Sequence, residues 1–106
     1  MKERIVLKAR GTTDVGEFAV FRTTVASGVV TTGVLNAFWF PDKTVEPGDL
    51  VILYSKGGTQ SEKRLPSGRT AHFFYWGAGP AIWSEDGVAP VLLHVDQWNS
   101  YLPDEE

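Results

Sequence analysis

Apolar and polar residues alternate along most of the chain with a period of two, the spacing at which side chains share one face of a β-strand. In the first run, Glu3 to Ala9, Ile5 and Leu7 point to the same side. Comparable runs cover residues 17–24, 25–32, 33–40, 49–54, 70–76, 81–83 and 88–95. No segment sustains the 3.6-residue period of an amphipathic helix. The pattern therefore predicts an all-β fold, a sandwich of about seven to nine short strands.

The most distinct strands flank a turn in FWFPDKTVEPGDLVILY, residues 38–54. The first three residues are all aromatic, so Trp39 must point away from both of its neighbours. Pro41 ends this run because it has no N–H for a strand ladder. Pro47 and Gly48 predict a tight turn, since proline presets φ and glycine adopts positive φ easily. We therefore expect the chain to reverse direction before the strand of residues 50–54.

Two further positions have a predicted local geometry. Ser27 and Gly28 interrupt the run of residues 25–32, where a tight hairpin and a β-bulge are equally plausible. Pro90 lies near the start of the last apolar run, and its missing N–H confines that strand to a sheet edge or a bulge.

Aromatic residues are too frequent for a single core to hold them all. Residues 73–76 are consecutive aromatics, so Phe73 and Tyr75 must face away from Phe74 and Trp76. A sandwich has one interior, and outward aromatics mark association surfaces. We therefore predict a homo-oligomer or a protein partner, with Trp39 or Trp76 in the interface. The candidate binding residues are Trp39, Phe74, Trp76, Lys63 and Arg64.

Length and composition narrow the class of protein. The 106 residues predict one domain, spanning 1–106. No cysteine is present, which excludes disulfides, thiolate metal sites and cysteine nucleophiles. The net charge is −3, no Lys or Arg follows Arg69, and residues 103–106 form an acidic tail. This acidic balance argues against a nucleic-acid partner, although a local basic patch remains compatible with it.

The chain shows no targeting or membrane signal. Its first ten residues lack the continuous apolar core of a signal peptide, and no run reaches the roughly 18 apolar residues of a spanning helix. We expect a soluble protein with no membrane partner, in a compartment that the sequence does not specify.

The segment Lys56 to Arg69, KGGTQSEKRLPSGR, is predicted to be a flexible loop. It contains a single large aliphatic residue, Leu65, and it is rich in Gly, Ser, Pro and charge. The segment contains four basic residues and one acidic residue, which gives the loop a positive charge. We expect trypsin to cut first at Lys63, Arg64 or Arg69, because little apolar surface offsets the entropy of ordering this backbone.

Residues capable of chemistry are few. His94 and Asp96 share one strand face, but no third ligand or nucleophile motif accompanies them, so a histidine near a sheet end is the favoured interpretation. Asp42, Glu46 and Asp49 crowd one turn without the ordered spacing of a calcium loop, and we expect solvated turn carboxylates there. The glycines match neither a phosphate loop nor a dinucleotide fingerprint. We therefore expect no catalytic residue, no metal and no cofactor.

Three segments, in order, resemble the lamin-tail domain family. They are EFAVFRT at 17–23, FPDKTVEPGDLVILYS at 40–55 and, after an aromatic strand, IWSEDGVAPVLLHVD at 82–96. Members of that family typically carry a Pro-Gly turn leading into a hydrophobic strand, matched here by residues 47–50. A late Gly-containing turn before another hydrophobic strand is matched by residues 84–93. The resemblance covers residues 17–96, and it implies an immunoglobulin-like antiparallel β-sandwich that serves as a non-catalytic interaction module.

Two hypotheses of different class follow. The first is a non-catalytic module that binds a protein partner or itself through outward aromatics. The second is a binder of carbohydrate or another ligand that uses the same aromatics as stacking platforms. An enzyme built around His94 and Asp96 is a minor third hypothesis.

Overall fold

A computed structural model of the chain describes residues 3–79, 82–83 and 86–101. These residues form β-strands joined by turns, with one turn of 3-10 helix at Val15–Glu17. The strands are β1 (Arg4–Lys8), β2 (Thr13–Asp14), β3 (Phe18–Ala26), β4 (Val29–Trp39), β5 (Thr44–Val45), β6 (Leu50–Tyr54), β7 (Ser61–Arg64), β8 (Thr70–Tyr75) and β9 (Val88–His94). The predicted all-β class is confirmed. The acidic tail at 103–106 lies outside the described residues.

The strands are arranged in three sheets. A four-stranded sheet has the order β1-β6-β8-β7, a three-stranded sheet has the order β4-β3-β9, and β2 pairs with β5. All pairs are antiparallel except β6 with β8, which run parallel. The expectation of purely antiparallel strands is therefore wrong for the four-stranded sheet, which is mixed because the chain passes through β7 at the far edge before it returns as β8.

One hydrophobic core joins the two larger sheets. Its buried members are Val15, Val20, Phe40, Val45, Val51, Leu53 and Phe74. They come from β3, from β6 and β8, and from the segments between the sheets. Alternation along each strand leaves the intervening residues on the outer faces. Ring contacts strengthen the centre, where Phe40 meets Phe74 edge to face at 5.1 Å between ring centroids.

The turn chemistry agrees with the local sequence. Gly48 has φ of 87°, and the Asp49 amide donates to the Glu46 carbonyl at 3.0 Å, which closes the predicted Pro-Gly turn. Ser27 and Gly28 both have positive φ, and Ala26 pairs with Val29. These two residues therefore form the tight hairpin rather than the bulge.

Several long-range features differ from the expectation or add to it. The strand runs that flank the Pro-Gly turn enter different sheets, as β4 and β6. The segment 56–69 is not irregular throughout, because Ser61–Arg64 forms β7 against β8. No strand is found at the described part of 81–83, where Ile82 and Trp83 form a bend. Pro90 lies in β9, an edge strand, as its missing N–H requires.

Candidate functional site: an uncharged sheet face around Trp39

The outer face of the three-stranded sheet is apolar, although it does not point into the core. Phe40 is buried and Phe38 packs against the core, so Trp39 between them points outward. Two rows of paired residues cross this face, and together they define the Trp39 face: Trp39, Ala19 and Leu93 in one row, and Ala37, Phe21 and Val91 in the other. None of these six residues is charged or polar, apart from the indole N–H.

Trp39 is held in place while its ring stays accessible. Its Nε1 donates a hydrogen bond to the Gly16 carbonyl at 2.7 Å, which satisfies the polar end of the indole. The ring meets Trp98 edge to face at 4.8 Å between centroids. Trp39 nevertheless remains 54% exposed and Trp98 59% exposed. Two adjacent tryptophans, one of them anchored by a hydrogen bond, thus offer apolar surface to solvent.

The edge of the same sheet is also uncharged. β4 is an edge strand of 11 residues, and no charged residue occurs between Arg22 and Asp42. Large apolar side chains are exposed along β4, namely Val29, Val30, Val34, Leu35 and Trp39. Natural edge strands usually carry charges or prolines that prevent pairing with another chain. β4 has neither, so its free backbone groups can accept a further strand.

The structure places the other predicted aromatic residues in the core region. Phe74 is fully buried, so the prediction that it belongs to a binding surface is wrong. The reason is strand parity, since β8 directs Phe74 inward and leaves Phe73 and Tyr75 on the outer face. Trp76 is half-buried and packs between Phe38 and Trp83, with ring centroids 5.9 Å and 5.7 Å away. Trp39 is therefore the predicted interface tryptophan that remains accessible.

Lys63 and Arg64 lie away from the Trp39 face. Both are exposed on β7, where Lys63 pairs with Ala71 and Arg64 with Thr70. β7 is the edge of the four-stranded sheet, whereas Trp39 belongs to the three-stranded one. The structure therefore does not bring the basic and the aromatic candidates together in one site.

His94 makes different contacts from those considered in the sequence. Its ring stacks on the Phe18 ring with 4.4 Å between centroids, and its Nε2 lies 3.2 Å from the Glu17 carboxylate at the exposed end of β9. The nearest acidic partner is thus Glu17 on the neighbouring segment, not Asp96. An exposed imidazole stacked at a sheet end corresponds to the favoured structural interpretation.

The buried acid and histidine pair is elsewhere. Asp49 and His72 are both buried, and Asp49 Oδ2 lies 3.0 Å from His72 Nε2. The expectation that Asp49 is a solvated turn carboxylate is therefore wrong. Sequence inspection missed this pair because the two residues are far apart in the chain. They meet only through the parallel pairing of β6 with β8, which puts Leu50 opposite Ala71.

Asp49 acts as an acceptor for several buried donors. The Glu46 amide donates to Oδ2 and the Thr70 amide donates to Oδ1, each at 3.0 Å. These backbone bonds, with the His72 hydrogen bond, lower the pKa of Asp49 from 3.8 to about 2. Because an ionised carboxylate only accepts, His72 Nε2 carries the proton. The buried Nδ1 of His72 has no partner among the described residues.

This arrangement braces the fold. Asp49 ties the turn before β6 to the start of β8, because each of its carboxylate oxygens accepts a hydrogen bond from a backbone amide. Among the described residues, no three His, Asp or Glu side chains gather closely enough to hold a metal ion. The same residues include no helix long and apolar enough to cross a membrane.

Comparison of the chain with known proteins identifies no similar protein. No protein-family model matches the chain, and no curated protein or solved structure is significantly similar to it. Its function must therefore be inferred from its own side chains.

Proposed function

We propose that this protein is a non-catalytic interaction module that binds a protein partner or a second copy of itself through the Trp39 face and the edge of β4. The observation that carries the proposal is the exposed, hydrogen-bonded Trp39 at the end of the edge strand β4, on an uncharged sheet surface. Interfaces are enriched in tryptophan near their centres and depleted of charge there.

The energetics favour association at this surface. Covering the exposed part of the Trp39 ring contributes about 2 kcal/mol by area. The Nε1 bond to Gly16 is already made, so burial of the ring leaves no unsatisfied donor. A strand added to β4 would satisfy its outward backbone groups, the mode of recognition known as β-augmentation. The face and the edge belong to one sheet and can act in the same interface.

We further propose that the two larger sheets form an immunoglobulin-like sandwich of the lamin-tail kind. The shared core and the Pro-Gly turn before β6 support this assignment. The immunoglobulin-like assignment must also account for the parallel pairing of β6 with β8. An experimentally determined structure in which the two sheets do not face each other across one core would overturn it.

Sedimentation velocity over a range of protein concentrations tests the association. We expect wild-type protein to show a concentration-dependent increase in size, either alone or with an added partner. Trp39→Ser should abolish that increase and yet remain folded, since Trp39 lies outside the buried core. Val6→Ser is a matched control, because Val6 is similarly exposed at 51% but belongs to the other large sheet. Unchanged association of Trp39→Ser would refute the proposal.

Carbohydrate binding is the second candidate, favoured by the closeness of two exposed indoles, Trp39 and Trp98. Sugar rings stack on aromatic faces, so a saccharide should then quench tryptophan fluorescence. A wild-type protein that stays monomeric at every concentration, and whose fluorescence is quenched by saccharides through Trp39, would replace the association hypothesis.

A further inference from the structure

An open cleft lies between the two larger sheets, on the opposite side of the three-stranded sheet from the Trp39 face. It has a volume of about 420 Å³. Its lining comes from β1 and β6 on one side and from β3 and β9 on the other, together with the segments that cross between the sheets. The cleft therefore extends the hydrophobic core to solvent.

The wall of the cleft is apolar. The aliphatic and aromatic lining residues are Leu7, Ala9, Val15, Phe18, Phe40, Val45, Val51 and Leu92. Several of these are core residues, so the floor of the cleft is part of the packed core. Leu92 pairs with the buried Val20 and yet remains 47% exposed. A core-facing leucine that is half in water marks apolar surface which no described residue covers.

The mouth of the cleft carries one cation. Arg10 is exposed and belongs to the lining, just beyond the end of β1. Lys8 also touches the cleft, but it alternates with Leu7 and pairs with Leu50, so its side chain lies on the opposite face of the sheet. None of the described lining residues is acidic. The remaining lining residues are Gly11 and Thr13. Small-molecule sites typically combine such an apolar wall with a few polar groups that orient the ligand, in volumes of roughly 300–1,000 Å³.

We propose that the intersheet cleft binds a small amphiphile with an apolar body and one anionic group. The body lies against the core residues of the floor, and the anion faces Arg10 at the mouth. The sign of the ligand's charge follows from the Arg10 cation and the lack of acids in the described lining. This site is independent of the Trp39 face, so either can fail without the other.

Three probes with the same hydrocarbon chain and different head groups test the proposal: decanoate, decanol and decyltrimethylammonium. Each is titrated into the full chain below its micelle concentration, and amide shifts are followed by NMR. We expect decanoate to bind best and the ammonium probe worst, with shifts confined to the cleft lining. Absence of decanoate binding would overturn the proposal, and so would equal binding of all three probes or shifts spread over the surface.

Variants of the cleft provide the second part of the test. Ala9→Phe places a ring in the cleft and should abolish decanoate binding. Leu92→Trp does the same from the half-exposed opposite wall, and it serves if Ala9→Phe does not fold. Arg10→Glu should weaken decanoate binding by about threefold to tenfold with little effect on decanol, because it reverses one charge at the mouth. Arg4→Glu is the control, since Arg4 is exposed on β1 outside the cleft lining. Decanoate affinity that is unchanged in the filled variants, or lowered equally by Arg4→Glu and Arg10→Glu, would refute the assignment.

Discussion

Acid should destabilise this protein through Asp49. In the folded state the pKa of this carboxyl lies at about 2, below its ordinary value of 3.8. A group with a lowered folded-state pKa stabilises the fold at pH values above its unfolded pKa, and this contribution is lost as the pH falls through the folded pKa. The window for Asp49 is therefore about pH 4 down to pH 2. The difference between the two pKa values corresponds to about 2 kcal/mol.

That contribution is large for a domain of this size, whose total stability is typically about 5–15 kcal/mol. Urea unfolding followed by tryptophan fluorescence, repeated from about pH 7 to about pH 2, measures it. Asp49→Asn is the informative variant, because the amide has the same shape but does not titrate. In either orientation of the introduced amide, its NH2 group points at one or more of the groups that donate hydrogen bonds to Asp49, and those donors lose their acceptor. At pH 7 we expect this variant to be less stable by about 1–3 kcal/mol.

The decisive quantity is the difference between the wild-type and Asp49→Asn stabilities as the pH falls. It should shrink by about 2 kcal/mol between about pH 4 and pH 2, since only the wild type loses an ionised carboxylate at this site. Curves that fall in parallel would refute the reasoning. If Asp49→Asn does not fold, an NMR titration of the wild-type carboxyl groups tests the same reasoning. A pKa of Asp49 near 3.8 would refute it.

Two further predictions concern the β6 to β8 segment. Gly58→Ala should destabilise the protein by about 1–3 kcal/mol in urea unfolding, because a Cβ at position 58 would overlap the Tyr75 ring. Gly57→Ala, where nothing lies within 4 Å of the added carbon, should be close to neutral, and equal effects of the two would contradict this contact. Limited trypsin digestion should cut at Arg69 before Lys63 or Arg64, since those two lie in β7 and a paired strand resists proteolysis. Earlier cleavage at Lys63 or Arg64 would indicate that β7 opens readily.

Most of the local structure is determined by the sequence itself. The period of two predicts strands and not helices, and Pro47 with Gly48 predicts a turn. Pro90 predicts an edge position in the last strand. Each of these predictions depends on backbone geometry within a few residues. Parity alone also places Trp39 on the opposite strand face from Phe38 and Phe40, whichever of the two faces points to the core. These features require no knowledge of which strand pairs with which.

The tertiary structure decided everything that depends on pairing between distant segments. Parity separates Phe74 from Phe73, but only the sheet order shows which of the two faces the core. Ser61–Arg64 has almost no apolar pattern, and it becomes a strand because β8 offers an edge to it. The sequence alone predicts that Asp49 is a solvated turn carboxylate. The parallel alignment of β6 and β8 instead buries it against His72. The intersheet cleft likewise exists only where two sheets leave a side open, and no local pattern of residues specifies such a gap.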